Sequence, residues 1–378
     1  MRQLFISLAL SLLFMPQFSQ AAAVAPPPSL AVKSYLLTDF NSGTTIAMHK
    51  KDERVEPASL TKIMTAYVTF DAIQQGHLKL DQTLPVSEKA WKIEGSKMFI
   101  EPNKPVTVDE LLHGMIIQSG NDASITLAEG VAGSEEQFAQ MMNKQAEKLG
   151  MKDTLYANAT GLPDKTHYTT ASDLALLAIA LIRDFPLEYR RLYSVKEYSY
   201  NKITQPNRNR LLWLDANVDG MKTGHTESAG YCLISSAKRG HTRMISVLLG
   251  AVSEAMRASE SQKLLNYGFQ FYESTKVFKQ NQTINTMRVF KGQDKIVSAT
   301  ITQDFYLTLP KGDYAKVKAN MISQQPLIAP IKAGQTIGKI SFMLNGKIIN
   351  EQKLVATKSV DEAGFVGRIV DSIKLMLQ

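Results

Sequence analysis

The sequence predicts an α/β (α+β) fold: an antiparallel sheet beside a helical lobe, then a small all-β domain, then a C-terminal amphipathic helix. Three observations carry this expectation. Strand-like patterns lie at both ends of residues 29–273 with helical periodicity between them, which implies one sheet assembled from two distant stretches and a cleft where sheet and helices meet. After Phe271-Tyr272 the pattern changes to short alternating runs separated by turn residues. From Phe365 onward, apolar residues recur at spacings of three and four. The implied divisions are 29–273, 274–359 and 360–378, with residues 1–23 outside the fold.

Residues 32–39 read as a strand from their Val, Tyr and Leu content; Phe40-Asn41-Ser42-Gly43 turns it, and 44–49 returns. Helical patterns follow at 59–75, 108–118, 122–132, 135–149 and 172–184, with Gly150 as a C-cap and Pro186 as a stop. Strands are expected at 218–224, 230–237 and 242–251, the last two joined through Lys238-Arg239-Gly240-His241, and a helix at 255–272 closes the region. The all-β part carries runs at 284–289, 299–307, 315–320, 336–344 and 348–355, and Asn345-Gly346 predicts a tight hairpin.

Composition narrows the function classes. The 378 residues are 44% hydrophobic and 21% charged, ordinary globular usage that excludes a disordered or polytopic membrane protein. The single Cys232 precludes an internal disulfide and reads as a buried, small apolar group. Trp91 and Trp213 read as core residues. A net charge of +8 without any run of five like charges argues against nucleic-acid binding and suits work near an anionic surface or acidic substrate. His113, His167 and His225 lack metal-ligand spacing, so no metal site is expected.

The ends of the chain carry addresses. Met1-Arg2-Gln3, a twelve-residue apolar run from Leu4 to Met15, Pro16 and then Ser19-Gln20-Ala21-Ala22-Ala23 read as a cleaved export signal. The run is too short to span a bilayer as a helix, although an N-terminal anchor is the alternative. At the other end, Phe365, Val366, Ile369, Val370, Ile373, Met376 and Leu377 form one stripe, with Arg368, Asp371, Ser372 and Lys374 opposite. That stripe suits a peripheral foot in the membrane interface; packing on its own domain is the competing reading.

Three short motifs carry chemistry. Ser59 and Lys62 in Pro57-Ala58-Ser59-Leu60-Thr61-Lys62 share one face of a helical first turn, so an uncharged amine can act as base to a nucleophilic hydroxyl. Ser-x-x-Lys alone is weak, because Ser199/Lys202 and Ser235/Lys238 repeat it. Ser119-Gly120-Asn121 between two helices can project a hydroxyl and a carboxamide, or simply cap a helix. Lys222-Thr223-Gly224-His225-Thr226 on a strand offers a cation, a hydroxyl and a glycine where a ligand can approach the backbone; alone it equally suits an ordinary edge strand with a solvent lysine.

Together these residues resemble the penicillin-recognising serine enzymes, and within them the low-molecular-mass D-alanyl-D-alanine carboxypeptidases of the penicillin-binding protein 5/6 type. The resemblance extends to Asn158-Ala159-Thr160-Gly161-Leu162-Pro163, Asn207-Arg208-Asn209, Val218-Asp219-Gly220 and the terminal foot, nearly the whole mature chain. It implies a transpeptidase/β-lactamase-like domain, a peptidoglycan stem-peptide substrate, β-lactams as covalent inhibitors and no cofactor. It further implies export to the periplasmic face of the inner membrane. By the resemblance Ser59 is the acylated serine, Lys62 its base and Ser119 the proton relay. Asn121 and Lys222 contact substrate, Lys222 also keeps Lys62 neutral, and the backbone N–H groups of Ser59 and His225 bind the oxyanion. Arg257 with Thr223 would hold the terminal carboxylate. A β-lactamase is the nearest rival, but no Glu-x-x-Leu-Asn sequence lies between Ser119 and Lys222. A non-catalytic wall-binding or sensor protein is the alternative of another class.

Overall fold

The computed structural model describes residues 25–377, so the expected signal 1–23 lies outside the described residues. The hairpin β1 (Ser34–Asp39) and β2 (Thr45–His49) joins three strands from much later in the chain: β3 (Val218–Thr226), β4 (Gly230–Arg239) and β5 (Thr242–Ala251). The sheet order is β2-β1-β5-β4-β3 and every neighbour is antiparallel, Leu36 facing Val247 across the central pair. This leaves β3 at an edge, with one side open toward the helices.

The intervening chain forms the lobe: α1 (Lys62–Gln74), α2 (Val108–Ile117), α3 (Asn121–Ala132), α4 (Glu135–Leu149) and α5 (Ala171–Asp184). Local chemistry sets their ends. Thr107 and Glu110 form a reciprocal capping box on α2, and Gly150 closes α4 in the left-handed region at φ 78°. Helix α1 is buried on nearly all sides, so it is the lobe's central post rather than an amphipathic surface helix. Its Ile63 and Met64 share a core with Leu111, Leu127 and Leu177 of neighbouring helices, all with no exposed surface and each contributing about 1.5–3 kcal/mol of burial. Helix α6 (Glu254–Phe271) covers the sheet's other face through Leu264 and Leu265.

Several features differ from the sequence expectations. The helix predicted over 59–75 begins instead with a 3-10 turn, Ala58–Thr61. Short helices Glu88–Lys92, Pro186–Leu192 and Leu211–Leu214, and the hairpin Glu197–Tyr200 with Ile203–Pro206, are too brief to leave a periodic signal. Trp91 and Trp213 are not core residues: they are 43% and 48% exposed, because those short helices ride on the surface.

Beyond α6, β6 (Tyr272–Phe278) pairs with β9 (Phe305–Pro310). A second sheet runs β10-β12-β13-β8-β7-β11, from β7 (Asn285–Phe290), β8 (Ile296–Thr300), β10 (Lys318–Ser323), β11 (Leu327–Ile328), β12 (Thr336–Leu344) and β13 (Lys347–Ala356). The run expected at 299–307 is therefore two strands in different sheets, and Asn345-Gly346 makes the expected turn with both φ angles positive. Helix α7 (Phe365–Met376) follows, pinned by Asp371, whose buried carboxylate accepts from Lys291 N at 2.7 Å and Lys295 Nζ at 3.1 Å. Its apolar stripe points away from the body: Phe365, Val366 and Ile373 are all more than half exposed. Among the described residues, no helix is long and apolar enough to cross a membrane.

Candidate active site

The 3-10 turn presents Ser59 at the mouth of the cleft, directly after Ala58, which is held at φ 48°. A non-glycine residue in the left-handed region carries strain, and such strain concentrates at functional turns. Lys62, the first residue of α1, is 1% exposed. Its Nζ lies 3.1 Å from Ser59 Oγ, 2.7 Å from Asn121 Oδ1 and 2.6 Å from Thr160 O. The last two partners are carbonyl oxygens and can only accept. A neutral amine gives them its two N–H bonds and turns its lone pair to the Ser59 hydroxyl. Burial pushes the Lys62 pKa down to about 7, and the charge of Arg208 adds to the shift.

Ser119 sits between α2 and α3 at φ 62°, a second left-handed serine-bearing turn. It is not the cap of α3, whose N-cap is Gly120 without a side-chain hydrogen bond. The conformation turns its hydroxyl toward β3, where Lys222 Nζ donates to Ser119 Oγ at 2.9 Å and to Thr223 O at 3.1 Å. Burial holds the Lys222 ammonium well below its ordinary pKa, followed by the repulsion of Lys62. Asn121 is engaged at both ends, accepting from Lys62 and donating from Nδ2 to Glu94 O at 2.6 Å. Next to it, buried Asp122 accepts from the backbone N–H groups of Met98, Phe99 and Ile100, fixing the loop that borders the site.

Glycines let these pieces touch. A Cβ on Gly161 would sit 1.8 Å from Ala58 O, so the loop carrying Thr160 can lie against the serine turn only with glycine there. A Cβ on Gly224 would meet Ala58 Cβ and Leu60 Cγ at 3.2 Å. Gly224 thus brings β3 against the serine turn, a closer neighbour than the ligand suggested by the sequence. Asn158 Oδ1 accepts from Thr160 N, Thr160 Oγ1 and Gly161 N, shaping that loop.

The remaining expected residues surround this centre. Thr223 is buried on β3, and His225 is exposed at its end, its ring tilted against Tyr231 with centroids 4.0 Å apart. Arg257 is buried below, donating from Nη2 to Arg208 O at 3.2 Å and pairing with Glu254 at 3.3 Å. The fold therefore brings Ser59, Lys62, Ser119, Asn121 and Lys222 into one cluster, with Thr223, Gly224, His225 and Arg257 around it. It leaves the other Ser-x-x-Lys pairs outside: Ser199 bonds Thr204 in an exposed hairpin, and Ser235 is buried in β4. Sequence reasoning gave no role to Arg208, the exposed cation whose charge acts on both buried lysines. It also missed the Thr160 carbonyl, since backbone acceptors leave no mark in residue types. Among the described residues, no group of three or more His, Cys, Asp or Glu side chains could hold a metal ion.

The family described as D-alanyl-D-alanine carboxypeptidase matches residues 20–253, and the penicillin-binding protein 5 C-terminal domain family matches 272–362. The chain is 43% identical to D-alanyl-D-alanine carboxypeptidase DacC of Escherichia coli, over 96% of this chain and 92% of that one. It is similar to the crystal structure of penicillin binding protein 5 from Haemophilus influenzae, with TM-score 0.87, 40% identity, and 89% and 100% of the two chains covered. A third likeness, TM-score 0.60 at 31% identity over 65% of this chain and 100% of the other, is to penicillin-binding protein D2 from Listeria monocytogenes in an ampicillin-bound form. Matched in sequence over nearly its whole length and in fold around the serine cleft, the chain belongs to the D-alanyl-D-alanine carboxypeptidase family.

Proposed function

We propose that this chain is a serine-type carboxypeptidase that releases the terminal D-alanine from peptidoglycan pentapeptides through an acyl-enzyme on Ser59. The observation that carries the reading is the Lys62 amine, buried between two carbonyl oxygens and 3.1 Å from the serine hydroxyl. Ser59 attacks the carbonyl between the two D-alanines as Lys62 takes its proton. Ser119, bonded to Lys222, relays the proton to the departing amine. Water then hydrolyses the ester and restores the serine. The backbone N–H groups of Ser59 and His225 face the developing oxyanion. Asn121 and Gly224 shape the acyl side of the site, and Thr223 with Arg257 receives the terminal carboxylate. A β-lactam presents a similar amide and carboxylate, but its opened ring stays attached and blocks water. The likeness to an ampicillin-bound structure supports penicillin as a covalent inhibitor here.

The test is to incubate the protein with a pentapeptide ending in D-Ala-D-Ala and assay free D-alanine. Catalytic release supports the reading. Turnover of penicillin faster than of peptide would make the chain a β-lactamase, and absence of both would make it a binding protein.

The proposal extends to place. Residues 1–23 would direct export, 29–273 would form the catalytic unit, 274–359 the spacer, and 360–378 a foot on the periplasmic face of the inner membrane. The outward apolar stripe of α7, fixed by Asp371, supports the last assignment. A chain ending at Ala363 that held membranes as firmly as the full chain would place the anchor elsewhere.

A further inference from the structure

Glu56 stands three residues before Ser59, and its half-buried carboxylate reaches across to the sheet. It accepts from Thr226 Oγ1 at 3.4 Å and from Ser228 Oγ, two hydroxyls at the turn that joins β3 to β4. Thr226 ends β3 directly after His225. The same turn is stiffened by Lys33 Nζ, which donates to Ser228 O at 2.8 Å, and by Ala229 N, which donates to Thr226 Oγ1 at 3.0 Å.

The segment leading into the serine turn is held to the lobe by main chain, Val55 and Thr169 exchanging N–H···O bonds of 2.9 Å each. Glu56, the next residue, supplies a side-chain link from that segment to the sheet. The close approach of Gly224 to Ala58 limits how near the two pieces can lie. Such contact does not stop one piece sliding along the other, whereas directional hydrogen bonds to a carboxylate do, and its charge strengthens them. The two N–H groups assigned to the oxyanion, those of Ser59 and His225, lie on the two pieces that Glu56 joins. Such donors act only when held about 2.7–3.1 Å from the point where negative charge develops.

We infer that Glu56 is a positioning residue of this reaction: its carboxylate ties the serine turn to the β3–β4 turn and so sets the spacing of the two oxyanion donors. This rests on the carboxypeptidase reading. Acylation and deacylation each pass through a tetrahedral oxyanion, so loosening the tie slows both steps while leaving substrate binding as it was. The Lys62 amine, held by Asn121 and Thr160, is untouched.

The experiment compares the purified full chain with Glu56→Ala, Glu56→Gln, Ser228→Ala and the Glu56→Ala/Ser228→Ala pair. Released D-alanine gives kcat and KM on a pentapeptide. Infrared spectra give the carbonyl stretch of the penicillin acyl-enzyme, which moves to higher wavenumber as hydrogen bonds to that carbonyl weaken. Glu56→Ala should lower kcat about thirtyfold, less than outright loss of a donor, with KM changed less than about twofold. Its ester carbonyl should shift upward, and the acid limb of its pH profile should stay in place. Glu56→Gln keeps a carbonyl acceptor and should recover kcat to within about threefold. The paired variant should match Glu56→Ala within about twofold, because both changes cut one link. An unshifted carbonyl, a raised KM at constant kcat, a displaced acid limb or additive losses in the pair would each overturn the inference. Should Glu56→Ala fail to fold, Ser228→Ala carries the same infrared and kcat test from an exposed position. No D-alanine released by the unaltered chain would instead overturn the carboxypeptidase reading.

Discussion

The serine-bearing part of the molecule and the β-rich part that follows it both bury apolar residues, but only one buries basic side chains. In the first, Lys62, Lys222 and Arg257 are each 5% exposed or less, and two serine-bearing turns rest on left-handed backbone. In the second, among the described residues, buried polar groups are Ser and Thr hydroxyls plus Asp371, and the lysines lie outside, as in the exposed Lys339–Glu351 pair. Burying an ammonium costs several kcal/mol unless its surroundings satisfy or neutralise it. The contrast shows where the fold has accepted that cost, and the chemistry is assigned there. The β part keeps ordinary economy of charge and serves as a support.

Four outcomes break or sharpen this contrast. Lys62→Ala removes the base while keeping the serine, and should slow acylation by penicillin about 10³-fold in stopped-flow measurements. A loss below about tenfold would deny the buried amine its role. Acidification is the next test. With the Lys62 pKa pushed down to about 7, the amine is protonated below that value and cannot accept the serine proton. kcat/KM should therefore fall about tenfold per pH unit below neutrality and level off above it. A profile flat from about pH 5.5 to 8.5 would contradict the neutral-amine assignment.

Gly161→Ala tests the architecture rather than the base. Its φ of 84° and the 1.8 Å approach to Ala58 O leave no room for a methyl group. The loop must withdraw, taking the Thr160 carbonyl from Lys62, so acylation should slow about tenfold and stability fall by about 2 kcal/mol in thermal melts. Lys339→Ala, in the β part, should change neither stability by more than about 0.5 kcal/mol nor acylation measurably, because exposed ion pairs contribute little. A large effect there would erase the division between the two regions.

Much of the frame was readable in the residues. Local signals such as the Gly150 C-cap and the Asn345-Gly346 turn act over a few positions and fix elements wherever they occur. The three motifs around Ser59, Ser119 and Lys222 also stood out, because each places reactive side chains at short spacing. What could not be read depends on chain segments meeting in space. Thr160 acts through a carbonyl, and Arg208 through its distance from two lysines. Gly224 acts by admitting Ala58 and Leu60. Trp213 looked like core because indoles usually are, and it lies open because a single turn of helix cannot bury it.

The most direct measurement is to treat the protein with penicillin at neutral pH and locate the adduct by peptide mass spectrometry. The account predicts one stable ester, on Ser59, absent from Ser59→Ala. An adduct on Ser119, Ser199 or Ser235, or covalent mass retained by Ser59→Ala, would contradict it.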